Sequence, residues 1–560
     1  MADEDFTGRR IDRRSILRYA GVGSAGVLAG CTGGGGDGGD GGGDGGDGGG
    51  DGGDGGGSDT TASPTQAEET GTPSPRSGGE LTVGFEAELT GLDPHKTSSV
   101  VSWVVVYNVA EGLVTFEDGQ PVGRLAEGWE ISDDGLEYTF ALKEGVTFHP
   151  PVDREMVAED VVYSFERMNQ EEAMGGDLAA MESVEAVDDY TVRFTLSESF
   201  APFLNFLGRV PWVVVPEEAV EDQGGELGDF QEPVGTGPFQ FDEYQSGNFL
   251  RMTAFEDYRE DLPYLDAVRV RPVPDADSRV AALRSGDIDL ARAVPGQAAE
   301  SVRGDANTSL LRQEATGWGQ IHINCSVEPW DDPAVRRAVA HVVDRGAIVE
   351  AGVFGFGTSA WQPYPEESIW HFDLGDSRRT RDIEEAQRIL DEAGNPLEGR
   401  TLTFKTNTRY QIMESTADLV IAQLREAGID AETEVLEWGT QLSDFVNGNF
   451  GAMAFSVPFK IDPDRHYYGF VHPDSNQWNK YGEEQPDAER MYELVAEGRT
   501  ETDQDARVEI YTEFQKLVNE NVPWISIART DDLVGQRKSV KGYQSWLLPY
   551  TRYWTMWKDE

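Results

Sequence analysis

The stretch 232–290 constrains the fold of this chain most tightly. It opens on a glycine- and proline-rich corner, Val234-Gly235-Thr236-Gly237-Pro238-Phe239. Three strand-like runs follow, at 239–244, 248–254 and 267–272. A helix is predicted over 275–285, with Val280, Ala281 and Leu283 on its apolar side. Gly286-Asp287 ends it, and Ile288-Asp289-Leu290 restarts a strand. Gly235 and Gly237 are able to take positive φ and to let another segment approach their backbone, while Pro238 fixes its own φ.

A chain of 560 residues is too long for one simple core, so two or three domains are expected. Asp and Glu number 102 against 46 Lys and Arg, a net charge of −56. That balance argues against a nucleic-acid partner, because phosphates need a basic patch. Only nine of the basic residues are Lys, and acidity runs through every segment. Such a surface is of the halophilic, high-salt type, where ions screen self-repulsion.

The first 30 residues read as an export signal. Arg13-Arg14-Ser15-Ile16-Leu17-Arg18 resembles a twin-arginine motif, and the apolar run 19–30 is too short to span a bilayer. It ends Leu28-Ala29-Gly30-Cys31, which resembles a lipobox with Cys31 as the lipidated residue. With Cys31 lipidated, Cys325 has no disulfide partner, and it is read as a small strand residue. Gly21-Val22-Gly23-Ser24-Ala25-Gly26 spells GxGxxG, but no strand precedes it and no βαβ unit follows, so dinucleotide binding is rejected. Residues 32–57 are almost wholly Gly and Asp, and 58–79 are rich in Ser, Thr, Pro and Glu. Neither can bury a core, so 31–79 is expected to be a disordered linker spanning on the order of 40 Å as a coil.

From about residue 80 onward the chain resembles the family 5 solute-binding proteins of ABC importers, the peptide/nickel-binding type. The corner VGTGPF carries that resemblance with Asp257-Tyr258, Pro263-Tyr264-Leu265-Asp266 and the run ALRSGDIDLA that starts at Ala282. Asp134 to Lys143 (DGLEYTFALK), Ala158 to Arg167 (AEDVVYSFER) and Trp330 to Arg345 (WDDPAVRRAVAHVVDR) add to it. The last reads as a helix with Asp331 or Asp332 near its cap, Pro333 in its first turn, and Val335, Val339 and Val342 on an inner stripe. Helices are also predicted over 382–393, 415–427 and 507–519, with strands at 402–406 and 429–436. The β-α-β order 402–436 implies an α/β unit with a parallel component.

The resemblance implies an α/β, two-lobed periplasmic-binding-protein-like fold (type II, cluster C) with an extra small α+β subdomain in lobe one. Lobe one is expected at 80–121, 231–312 and 525–560, the subdomain at 122–230 and lobe two at 313–524, with 522–527 crossing back to lobe one. It also implies an extracytoplasmic receptor, anchored to the outer face of the membrane only by lipid on Cys31. Its partners are an ABC permease with ATPase subunits and a small peptide-like solute, and it is expected to be a monomer. Candidate ligand residues are Thr90, Trp318, Trp361, Tyr364, Asn407, Trp438, Phe459 and Asp462. Peptide-binding members carry an Asp three residues before an acidic-Pro pair to hold an α-ammonium. Here the pair is Asp462-Pro463 and that place is Phe459, which cannot make a charge-assisted bond. No catalytic constellation is present: GxSxG, P-loop and HExxH are all missing. The seven histidines show no close ligand spacing, so neither an enzyme nor a resident metal or cofactor is expected. The alternatives are a ligand sensor on the same fold and a secreted hydrolase.

Overall fold

In the computed structural model, the corner and the runs after it build one flank of a seven-stranded sheet. The structure describes residues 75–560 apart from 98, 118, 171–179, 314–316, 408–410, 459–460, 476–478, 545–549 and 560. Arg13, Arg14, Cys31, Phe459 and all of the linker before residue 75 therefore lie outside the described residues.

In chain order, the strands of the two large sheets are β1 (Glu80–Phe85), β2 (Phe239–Gln245), β3 (Phe249–Ala254), β4 (Ala267–Pro272), β5 (Leu290–Ala291), β6 (Thr308–Gln313), β7 (Gly317–Ile323), β8 (Gly357–Ser359), β9 (Leu402–Asn407), β10 (Ala431–Leu436), β11 (Ala452–Pro458), β12 (Trp524–Thr530) and β13 (Asp532–Arg537). One sheet runs β6-β13-β5-β1-β4-β3-β2 and the other β8-β12-β7-β11-β9-β10. A third, four-stranded sheet (Ala126–Ile131, Glu137–Leu142, Thr191–Leu196, Met181–Asp188) is entirely antiparallel. Helix Ala158–Met168 packs on it through Val161 and Phe165. Each sheet has its own apolar core.

The corner needs its glycines for room, not for φ. Neither Gly235 nor Gly237 takes a positive φ. A Cβ at Gly235 would stand 2.4 Å from the Val109 carbonyl oxygen, and one at Gly237 2.7 Å from that of Asn108. Both carbonyls end the helix Val100–Val109, so the corner lies directly against a helix C-terminus. Thr236, between the two glycines, donates to Glu111 at 2.9 Å. Arg124 and Arg259 each reach the same carboxylate at 2.5 Å. Burial pushes the Glu111 carboxyl up, but the two guanidinium groups and their hydrogen bonds outweigh it and hold it at about 2.

Several expectations shift. Helix Ala276–Ser285 is capped by Asp275 and stopped by Gly286 at φ 88°, yet Ala281 is exposed. Arg279 is buried instead, and its guanidinium donates to the carbonyls of Val273, Pro274, Arg292 and Ala293. The segment 330–345 does not continue as one helix. Asp332 caps Pro333–Val342, and Asp344 caps a second helix, Arg345–Gly352. Cys325 lies in the turn after β7, where burial pushes its thiol up to about 11. Most of the predicted return, 522–527, does not leave the second sheet. β12 pairs there with β7 and β8, and the crossing falls at Asp531.

Candidate functional site: two facing sheet edges

The register of the two sheets places the site. β1 runs parallel to β4 and β5, so Phe85, Pro272 and Ala291 end at one edge. β6 ends at that edge and β13 starts there, with Gln313 opposite Asp532. In the second sheet β9 runs parallel to β10 and β11, so Asn407, Leu436 and Pro458 share an edge. β7 begins and β12 ends at it, with Gly317 opposite Pro458. Asp531, between β12 and β13, therefore joins the carboxyl edge of one sheet to the carboxyl edge of the other, and β6 ends and β7 begins at those same two edges. In open α/β sheets this is the edge at which ligands are held, because strand ends and helix starts leave a crevice there.

Lobe one presents the loop 86–92 after β1. Tyr244 donates its hydroxyl to the Leu89 carbonyl at 3.2 Å, and Thr97 Oγ1 donates to the Thr90 carbonyl at 3.0 Å. Thr90 is exposed on this loop. The turn that follows is fixed from beneath. Arg167 holds Asp93 through two bonds, at 2.9 and 2.6 Å, and a third, at 2.9 Å, reaches His95 Nδ1. His95 Nε2 then donates to the Val213 carbonyl at 3.1 Å. Burial and the Arg167 charge bring the His95 imidazole down to about 4.

Lobe two presents side chains of two kinds. Asn407, at the end of β9, donates to Gln441 Oε1, and Gln441 Nε2 donates to the Ala454 carbonyl at 3.1 Å. Trp438 opens the helix Trp438–Asn447 just past β10 and stacks on Phe455 with ring centroids 6.4 Å apart. Trp318, second residue of β7, is buried and donates to Gln320 Oε1 at 2.9 Å; Gln320 Nε2 lies 2.8 Å from His322 Nδ1. A polar row thus runs inward from the edge along one face of β7.

The structure does not bring the other candidates to this edge. Tyr364 is fully buried, edge-on to Tyr467 in the lobe-two core. Trp361 lies beyond the far end of β8 and donates to the Arg379 carbonyl at 2.9 Å. Asp462 is 5 % exposed and both its oxygens are occupied. Arg507 grips them at 2.8 and 2.9 Å, the Asp464 amide donates to Oδ1, and Asn205 donates to Oδ2 at 2.8 Å. Among the described residues no group of three or more His, Cys, Asp or Glu side chains is placed to hold a metal ion. No helix there is long and apolar enough to cross a membrane.

Residues 120–478 match the family model described as bacterial extracellular solute-binding proteins, family 5. This chain belongs to that family. Heme-binding protein A of Haemophilus influenzae is 31% identical over 487 residues, covering 80% of this chain and 86% of the relative. Di/tripeptide-binding protein 2 of Pseudomonas aeruginosa is 29% identical over 503 residues, covering 83% and 92%. Among solved structures, the ABC transporter-associated periplasmic binding protein DppA of Helicobacter pylori, in complex with peptide STSA, superposes with a TM-score of 0.73 at 26% identity. That match covers 87% of this chain and 99% of DppA. The two-lobed fold is that of a binding protein.

Sequence reasoning missed several residues of this family 5 protein. Gln441 and Phe445 follow Trp438 at three and seven positions, a helix-face spacing that would have placed Gln441 beside Asn407. Gln320 and His322 alternate with Trp318, which puts them on its side of β7. Nothing in the sequence pairs Asp462 with Arg507 or Asn205, which lie 45 and 257 residues away.

Proposed function

We propose that this protein is the lipid-anchored receptor of an ABC importer, capturing a peptide-like organic solute between the two sheet edges and delivering it to the permease and its ATPase subunits. In this reading it acts as a monomer. Arg13 and Arg14 direct its export, Cys31 carries the lipid, and the linker before residue 75 is a tether. Its acidic, Lys-poor surface suits a salt-rich exterior. The lobes divide between residues 313 and 317 and at Asp531. Ligand shifts the lobes toward closure only by its differential affinity for the closed form.

One observation carries the substrate class. The lobe-two edge offers the half-buried stacked rings of Trp438 and Phe455, backed by the buried amide pair Asn407–Gln441, whereas the Asp462 carboxylate is already held by Arg507. A ligand with apolar side chains suits those rings, and a free ammonium gains no ion pair from Asp462. The names of the relatives include di- and tripeptides, which fits. Native mass spectrometry of the protein purified with its ligand is expected to recover a peptide-like molecule. In a thermal-shift screen, N-acetylated and free-amine peptides should differ by less than about ten-fold in affinity, since no charge-assisted bond to the amine is made. A loss of roughly hundred-fold on acetylation would overturn this substrate class.

A further inference from the structure

A cavity lies inside lobe two, away from the carboxyl edge of its sheet. It holds ≈ 40 Å³ of free space, and Arg345, Arg379, Trp361, Tyr467, Gln515 and Ser526 are among its walls. That is room for a few water molecules or for one small inorganic ion.

The charges around it are unusual for so acidic a chain. Arg345 donates from Nε to the carbonyls of Ala360 and Ser526 and from Nη1 to that of Arg379, and Nη2 has no acceptor among the described residues. Arg379 uses only Nη1, on Asn519. Arg378 adds a third guanidinium, 4.8 Å above the Trp361 ring. Among the described residues none of the three has a carboxylate in ion-pair contact. Burial and Arg379 pull Arg345 down to about 9; burial and Arg337 pull Arg379 down to about 10, and Glu520 acts weakly against that. Buried charge without a counter-charge is costly, so a counter-ion in the space is favoured.

The uncharged walls point the same way. Ser526 is 2 % exposed and Tyr467 0 %, and the hydroxyls of both have no hydrogen-bond partner. Burial pushes the Tyr467 phenol well above its ordinary range, so it stays a proton donor. Two hydroxyl donors and two guanidinium groups thus surround one small volume.

We propose that this cavity is a site for a small inorganic anion of halide size, held by Arg345, Arg379, Ser526 and Tyr467. The test uses the full chain and bromide as probe. Crystals grown in sodium bromide should show one anomalous peak between Arg345, Arg379 and Ser526. In solution, bromide replacing gluconate at constant ionic strength should raise the unfolding midpoint saturably. Arg379→Gln should raise the half-saturating bromide concentration about ten-fold or more, the loss of a charge-assisted bond. Ser526→Ala should raise it by a smaller factor, and it serves if the arginine variant does not fold. A cavity holding only water, or a bromide dependence that neither substitution moves, would overturn the site. So would a peak with no saturable response in solution, which means an adventitious ion only.

Discussion

Asp93 and Asp462 have the same chemistry in different places. Each is buried and gripped through both oxygens by one arginine, Arg167 or Arg507. The Asp93 pair lies within lobe one and its subdomain, where it joins the turn after Leu92 to helix Ala158–Met168. Asp462 accepts a further bond from Asn205, which belongs to the helix Phe203–Leu207 beside the third sheet. Ser199 and Ala201 add bonds from that side to the carbonyls of Thr500 and Arg499. One ion pair therefore fixes a single body, while the other sits on a seam between lobe two and the subdomain. The first is expected to affect stability alone, and the second also how far the lobes open.

Breaking either pair should have the largest effect of any single substitution. Asp93→Ala or Asp462→Ala leaves a buried guanidinium uncompensated and should cost about 3–5 kcal/mol in denaturant unfolding. Only the Asp462 variant should also change the small-angle scattering profile toward a more open form. Equal scattering from both variants would refute the distinction between a fixed pair and a seam pair.

The second effect is a pH dependence confined to lobe one and its subdomain. His95 and His149 are both held at about 4, mainly by burial, below their ordinary value. Each favours the fold above pH ~6.5, where the unfolded imidazole is neutral, and that contribution is lost as pH falls from ~6.5 to about 4. Stability should drop by up to about 1.4 kcal/mol per pH unit for each group over that window. Glu111, at about 2, extends the loss from pH ~4.5 toward 2. Urea unfolding across this range checks it; a flat profile from pH 7 to 4 would mean the two imidazoles are not buried as neutral groups.

The smallest effect isolates the seam. Asn205→Ala removes one hydrogen bond to a carboxylate and should lower stability by about 1 kcal/mol or less, because Asn205 is only half-buried. Its apparent affinity for solute should still fall by up to several-fold, as expected of a contact made on closure of the lobes. Calorimetric titration with the recovered solute would show unchanged affinity if Asn205 does not report on closure.

Local patterns in the sequence carried most of the elements. Asp275 and Gly286 bracket one helix, Asp382 caps another, and Gly394 and Gly428 stop helices at φ 80° and 81°. These signals read well because a cap or a left-handed stop acts within one turn. The inner face of helix Ala276–Ser285 was harder to read. Arg279 is buried because four carbonyls from other turns converge on it, and no window of adjacent residues contains them. The candidate site divides the same way. Asn407, expected on a strand-to-next-element loop, ends β9, and Trp438, a candidate from the family resemblance, opens the helix after β10. Tyr364 and Trp361 fell inside lobe two because aromatic side chains fill cores as readily as they line clefts.

What the sequence determined by itself is the family, the α/β alternation, and a surface too acidic for nucleic acid. Those properties are written in spacing and composition, which survive without coordinates. Only the tertiary structure decided that Asp462 answers to Arg507 and Asn205, that Glu111 anchors the glycine corner, and that two arginines face one small cavity without a counter-charge. Each depends on side chains far apart in the chain meeting at hydrogen-bond distance, and only the packing of separate sheets brings them there.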